Sequence, residues 1–164
     1  MNVALGGTFD PVHDGPRKLF DRAFELGDVT VGLTTDELAP QTRHVDRYVR
    51  PYEARERDVE AEIAPIAASH GREFTIRPLD APTGIAVEPT FDALVVSPET
   101  RGGAERITEI RESRGRDPLE IVVVDHVLAD DGDRISSTRI LAGAIDEHGR
   151  LTPARAGRGA TPPA

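Results

Sequence analysis

The sequence predicts a single doubly wound, Rossmann-like α/β domain built on a five-stranded parallel sheet. Three observations carry this. Five short apolar stretches alternate with helical ones, the order of strands joined by crossovers. The strands are runs of Val, Ile, Leu and Ala rather than apolar–polar alternations, as parallel strands covered on both faces require. The length, 164 residues, suits one core and is short for two.

Asn2–Leu5 is the first strand, stopped by Gly6-Gly7. Pro16–Leu26 is a helix, because Leu19, Phe20, Ala23 and Phe24 share one face and Gly27 supplies a C-terminal stop. Val29–Leu33 is a β-branched second strand. Tyr52–Ala68 is a charged helix in which Pro65 predicts a kink or a split. Glu73–Arg77 and the fully apolar Ala93–Val96 are the third and fourth strands. Ala104–Arg114 is a helix ending at Gly115, Leu119–Val124 the fifth strand and Ser136–Ile145 the last helix. The domain takes residues 1–150. The remainder, 151–164, is rich in Pro, Gly, Ala and Arg without apolar period, and is expected to be a disordered tail.

Composition excludes several chemistries. The chain has no cysteine, so no zinc ribbon, disulfide scaffold or thiol nucleophile is available. Its single lysine, Lys18, lies in Arg17-Lys18-Leu19 and not in a Gly-Lys-Ser/Thr phosphate loop. No apolar run approaches the roughly 18 residues of a membrane span. With 29 acidic against 20 basic residues the net charge is −9, which disfavours a duplex nucleic acid surface. The N-terminus lacks a basic leader and enters a strand at once, which predicts a cytoplasmic protein. Abundant carboxylates with almost no lysine suit a salty milieu, and equally an ordinary acidic surface. No feature of the sequence sets an oligomeric state.

In a doubly wound sheet ligands bind at the carboxyl ends of the strands, where the strand order reverses. The first strand runs into Gly6-Gly7-Thr8-Phe9-Asp10-Pro11-Val12-His13-Asp14-Gly15-Pro16. Two glycines allow a backbone to approach a bulky anion, Thr8 offers a hydroxyl, His13 an imidazole, and the helix that follows aims its first N–H groups at the same place. Ser136-Ser137-Thr138 opens another helix, as a cap or as a phosphate site; beside the first motif the two are one geometry. Asp130-Asp131-Gly132-Asp133 imitates a metal loop but lacks the later glutamate of an EF-hand, so a solvated acidic turn is expected. His126 sits after the fifth strand at the ligand edge with no fixed role. His44, His70 and His148 are read as surface residues.

The first string resembles the nucleotidylyltransferase superfamily, whose signature is a GGTFD-like strand end followed by HxGH or TxGH. Val95-Val96-Ser97-Pro98-Glu99-Thr100 with Gly102-Gly103, and Arg134-Ile135-Ser136-Ser137-Thr138-Arg139, resemble the VVSEET and ISST segments of archaeal-type phosphopantetheine adenylyltransferases. Val31–Glu37 matches in order and position, and the resemblance covers residues 1–148. It implies AMP transfer from ATP to 4′-phosphopantetheine, with Mg2+ accompanying ATP and neither nucleic acid nor membrane as partner.

By the same resemblance His13 and Arg139 are catalytic. Gly6, Gly7, Thr8, Phe9, Gly15, Ser97, Glu99, Thr100, Ser136, Ser137 and Thr138 bind the nucleotide, and no residue is a metal ligand. Thr8 and Arg43 meet the acceptor; Arg47 and Arg50 are the other arginines in reach of its phosphate. The chain departs from the pattern at Pro16, where the family's second histidine contacts phosphate, and at Leu141, often a basic residue. Losing such a donor typically costs about 10²–10³ in rate. A non-catalytic nucleotide-binding paralogue and a sister enzyme of FAD-synthetase or cytidylyltransferase type are the alternatives.

Overall fold

The computed structural model describes residues 1–42, 49–81 and 84–152. Five parallel strands lie in the order β3-β2-β1-β4-β5: β1 (Asn2–Gly7), β2 (Asp28–Thr34), β3 (Phe74–Leu79), β4 (Ala93–Val96) and β5 (Glu120–Val123). Four α-helices accompany them: α1 (Asp14–Leu26), α2 (Tyr52–His70), α3 (Arg101–Ser113) and α4 (Ser137–Leu141). The chain builds outward from β1 to β3, then returns to lay β4 on the other side of β1, so the order reverses between β1 and β4.

Alternate residues of each strand serve opposite faces. Val3, Leu5, Val29, Val31 and Val95 pack with Phe20 and Phe24 of α1 and with Val59 and Ile63 of α2. Ala4, Leu94 and Val96 pack with Ile107 of α3 and with Ile85 and Phe91 of the β3–β4 connection. A third, smaller cluster joins Ala129, Ile135 and Ile145 near the C-terminus.

Several boundaries differ from the sequence reading. Gly6 and Gly7 do not stop β1 but continue it, in register with Gly32 and Leu33 of β2. α1 begins two residues early, at Asp14, because His13 caps it. α2 passes through Pro65 unsplit; Pro65 and Ala61, whose carbonyl loses its partner, are both exposed, so that carbonyl is open to water. Pro78 is accommodated in β3 because that strand is an edge. The last helix is only five residues long, since the chain turns through the left-handed region at Gly143. Leu151 bridges back to Ile145; residues 153–164 lie outside the described part.

Candidate active site

The strand order reverses between β1 and β4, the place where doubly wound sheets form a ligand crevice at the strands' carboxyl ends, and the sequence motifs collect there. Ser137 at the start of α4 donates its hydroxyl to the carbonyl of Pro11 in the loop after β1, 3.0 Å away. Glu99, just after β4, forms an ion pair with Arg134, just before α4. Three segments separated by tens of residues thus meet at one edge of the sheet. A shallow cleft at the opposite edge, lined by Asp28, Ala67, Arg72 and Phe74, contains none of them.

The two glycines of β1 act first for the protein. A Cβ on Gly7 would lie 2.7 Å from the Phe9 ring, and one on Gly6 would lie 3.2 Å from Leu79. Phe9, with its backbone in the left-handed region at φ 52°, turns its ring inward against Phe20 at 5.2 Å between centroids. The Phe9 ring thus belongs to the core and is turned away from any ligand at this edge. Gly6 remains exposed, so its backbone is accessible to a ligand.

The start of α1 corrects a larger expectation. Its N–H groups were to face a triphosphate, yet each has a protein partner. Asp14 N–H donates to the Glu147 carbonyl at 3.1 Å, Gly15 N–H to His13 Nδ1 at 3.0 Å and Arg17 N–H to the His13 carbonyl at 3.1 Å. Pro16, the third residue of the helix, has no N–H to give. Gly15 is needed because a Cβ there would strike His13 Cε1 at 2.7 Å. The sequence reading missed the reason for this closure, a C-terminal hairpin laid across the helix start. Arg17 binds Asp14, Glu62 and Glu147 together, and His148 pairs with Asp14.

His13 is buried, and desolvation, aided by the nearby charges of Arg17 and Arg134, brings its pKa down to about 4. It is neutral at pH 7. Because Nδ1 accepts from Gly15, the ring proton sits on Nε2, and His13 is a hydrogen-bond donor rather than a cation.

α4 presents the opposite picture. Ser136 caps it, its hydroxyl oxygen accepting from Arg139 N–H at 3.2 Å. Among the described residues, no protein acceptor is found for the N–H groups of Ser137 and Thr138. Arg139 folds back on its own loop, donating to the Arg134 carbonyl at 2.8 Å and pairing with Asp131. Asp131 also accepts from Asp133 N–H, so the acidic loop is a hydrogen-bonded turn. Across the crevice Ser97 and Thr100 engage each other in a capping box, leaving both half or fully exposed.

Thr8 lies at the edge of β1 with its Oγ1 2.8 Å from Thr34 Oγ1. Arg55, fully buried on α2, reaches both: its Nη1 donates to the Thr8 carbonyl at 3.2 Å and to Thr34 Oγ1 at 3.3 Å. Arg50 N–H and Nε bind the buried Asp10 carboxylate at 2.8 and 2.6 Å. Neither Thr34 nor Arg55 was singled out from the sequence. A fully buried arginine carries no local signal, since its partners come from other segments. Arg43, His44 and Arg47 lie outside the described residues.

Among the described residues no group of three or more carboxylates and imidazoles is arranged to hold a metal. A hard divalent ion bound chiefly by phosphate oxygens and water needs no such cage. No described helix is long and apolar enough to cross a membrane.

Comparison with known proteins places this arrangement. The profile of cytidylyltransferase-like domains matches residues 4–143. A phosphopantetheine adenylyltransferase of Methanosarcina acetivorans is 44% identical over 91% of this chain and 94% of its own length. One of Archaeoglobus fulgidus is 42% identical over 92% of this chain and 99% of its own. A crystal structure of an Archaeoglobus fulgidus protein described as of unknown function superposes with a TM-score of 0.67 at 39% identity, covering 76% of this chain and 90% of that one.

Proposed function

The chain belongs to the cytidylyltransferase-like family and, within it, to the phosphopantetheine adenylyltransferases, and on that premise we propose how its carboxyl-edge crevice works. It transfers the adenylyl group of ATP to 4′-phosphopantetheine, giving dephospho-CoA and pyrophosphate, a step of coenzyme A biosynthesis. An oxygen of the acceptor phosphate attacks the α-phosphorus in line. One O–P bond forms there as the bond to the β-phosphate oxygen breaks, and the electron pair leaves with pyrophosphate. No covalent enzyme intermediate is required, which suits a chain without cysteine. The protein's tasks are to hold two polyanions in line and to offset the charge that builds on the leaving group.

The observation that supports the site most directly is the meeting of Pro11, Ser137, Glu99 and Arg134 at the reversal of strand order. We assign the triphosphate to the unpartnered N–H groups and hydroxyls at the start of α4, with His13 Nε2–H as a neutral donor beside it. Arg139 joins them on leaving Asp131. Ser97, Glu99 and Thr100 border the adenosine, and Thr8, with Gly6 beside it, faces the acceptor phosphate; Arg43 is assigned to the same phosphate. Nucleotidyl transfer of this kind uses a divalent metal; here it is Mg2+, arriving on ATP and neutralising its phosphates. We read the enzyme as cytoplasmic.

Pyrophosphate release tests the assignment. ATP with 4′-phosphopantetheine should support it, whereas ATP with FMN, or CTP with a phosphorylated alcohol, should not. Binding of ATP without turnover would instead favour the non-catalytic paralogue, for which the closed start of α1 and Pro16 are the supporting observations.

A further inference from the structure

Arg134 takes no part in the chemistry assigned above, yet its side chain lies where that chemistry converges. Its backbone is fixed from several directions. Arg134 pairs with Leu128 in an antiparallel bridge, and its carbonyl accepts from Arg139 Nη1 at 2.8 Å. The next amide, that of Ile135, donates to the Val127 carbonyl at 2.9 Å. Ile135 is buried in the C-terminal cluster, and successive side chains of an extended segment point to opposite sides. Arg134 therefore points out of that cluster, and its guanidinium reaches across to Glu99, just after β4.

Two cations reach His13 with their charge, Arg17 and Arg134, and both add to burial in lowering the pKa of that ring. They are held very differently. Arg17 is bound by three carboxylates, those of Asp14, Glu62 and Glu147. The Arg134 guanidinium has one partner among the described residues, Glu99, and the two side chains are 37% and 40% exposed. A single pair so open to water contributes little to stability, so a ligand of higher charge can take the guanidinium from it. Its planar fork of donors fits phosphate as well as carboxylate. Adenylyl transfer brings such a ligand, and charge accumulates on the pyrophosphate as it leaves. Residue 16, a proline, has no donor to meet it.

We infer that Arg134 exchanges Glu99 for the phosphates of ATP and is a phosphate-binding residue of the reaction. This rests on the reading of the crevice as a site of adenylyl transfer with the triphosphate at the start of α4. The other role open to the pair is that of a clasp between the segment after β4 and the segment before α4. A clasp sets the spacing of the parts assigned to adenosine and to phosphate, and so acts on both alike. A phosphate contact acts on phosphate alone.

Calorimetric titrations of the full chain with MgATP, magnesium pyrophosphate and adenosine separate the two. Pyrophosphate carries the leaving phosphates without the nucleoside, and adenosine the nucleoside without phosphate. Arg134→Met removes the charge and keeps much of the stem. It should weaken MgATP and pyrophosphate about tenfold, the lower end for a hydrogen bond to a charged group, with adenosine within about twofold. Glu99→Gln removes the competing carboxylate and should tighten pyrophosphate about two- to threefold. Equal weakening of adenosine and pyrophosphate by Arg134→Met, or weakening of pyrophosphate by Glu99→Gln, would make the pair a clasp and overturn the inference. So would an Arg134→Met protein that binds pyrophosphate as the wild type does. If adenosine binds too weakly to measure, the two pyrophosphate titrations decide. A wild type that binds neither MgATP nor pyrophosphate would overturn the reading of the crevice itself, and the inference with it.

Discussion

Two helix starts face the same crevice, and they are built in opposite ways. α1 begins with every N–H spent: on Glu147, on the His13 ring and on the His13 carbonyl, with a proline in the remaining place. α4 begins with the N–H groups of Ser137 and Thr138, which have no protein acceptor among the described residues, and only then that of Arg139, taken by the Ser136 cap. A helix start carries partial positive charge in either case, but only unsatisfied donors can bind a phosphate directly. On the proposed assignment, a glycine-rich turn before a helix marks where an anion approaches, not which helix holds it. Here the closed end supplies rigidity and the open end supplies donors.

The largest expected effect comes from breaking the closed end with acid. Burial favours the neutral His13 ring, whose pKa is about 4 when folded against an ordinary value of 6.5. The stability this confers is complete above pH 6.5 and is lost as the pH falls from there towards 4, by about 3 kcal/mol if the whole shift is realised. His13→Asn keeps a competent cap and does not titrate. Chemical denaturation of both proteins across that window should show the extra loss only in the wild type. Parallel curves would mean that the fold leaves the proton affinity of His13 unchanged.

Next in size is the repair of the closed end. The residue at 16 stands three positions after His13, on the same side of α1. Pro16→His places an imidazole there, and its new N–H can be met by water at the helix surface. A gain in kcat of about 10²-fold, with KM for ATP little changed, is the scale of one preorganised donor acting in the transition state. If wild-type turnover is already ordinary for an enzyme and Pro16→His leaves it unchanged, the donors of α4 are sufficient without it. At the open end, Ser136→Ala removes the cap of a five-residue helix. It should cost about 1 kcal/mol of local order and weaken ATP binding about fivefold, measured calorimetrically, while the acid response of His13 stays as it was. An unaltered ATP affinity would remove α4 from the triphosphate site.

Much of this was legible in the sequence because it depends on neighbours along the chain. The five strands follow from their apolar runs, and Ala93–Val96 matches to the residue. The hydroxyl triplet was read as both cap and phosphate site, and Ser136 is indeed the cap. What stayed hidden depends on residues far apart. Nothing local to Asp14-Gly15-Pro16 shows that Glu147 will close that helix from the far end of the chain, 130 residues beyond the Arg17 it also binds. Nor does Gly7 reveal that the ring it makes room for is Phe9, since that needs the left-handed turn between them. The arginines are the extreme case. Arg55 and Arg111 are both fully buried, yet in the sequence they resemble the many arginines left on the surface.

The smallest expected effect concerns Arg139, which the sequence reading aimed at the phosphates and the structure shows clipped to Asp131. The two views are reconciled by the weakness of the clip. Asp131 is largely open to solvent, and its carboxyl is kept below the usual range first by the Asp133 amide and then by Arg139. An exposed pair of this kind contributes little to stability, so a triphosphate carrying several charges can take Arg139 from it. The carboxylate is then a competitor for the guanidinium, and Asp131→Asn should tighten ATP binding by about two- to threefold, the middle of the range for a surface pair. In an Arg139→Ala background the same change should do nothing, because the competition has no object. Calorimetric titration of the four proteins with MgATP measures both. If Asp131→Asn weakens binding instead, the acidic turn is holding the start of α4 in shape, and Arg139 belongs to that turn rather than to the nucleotide.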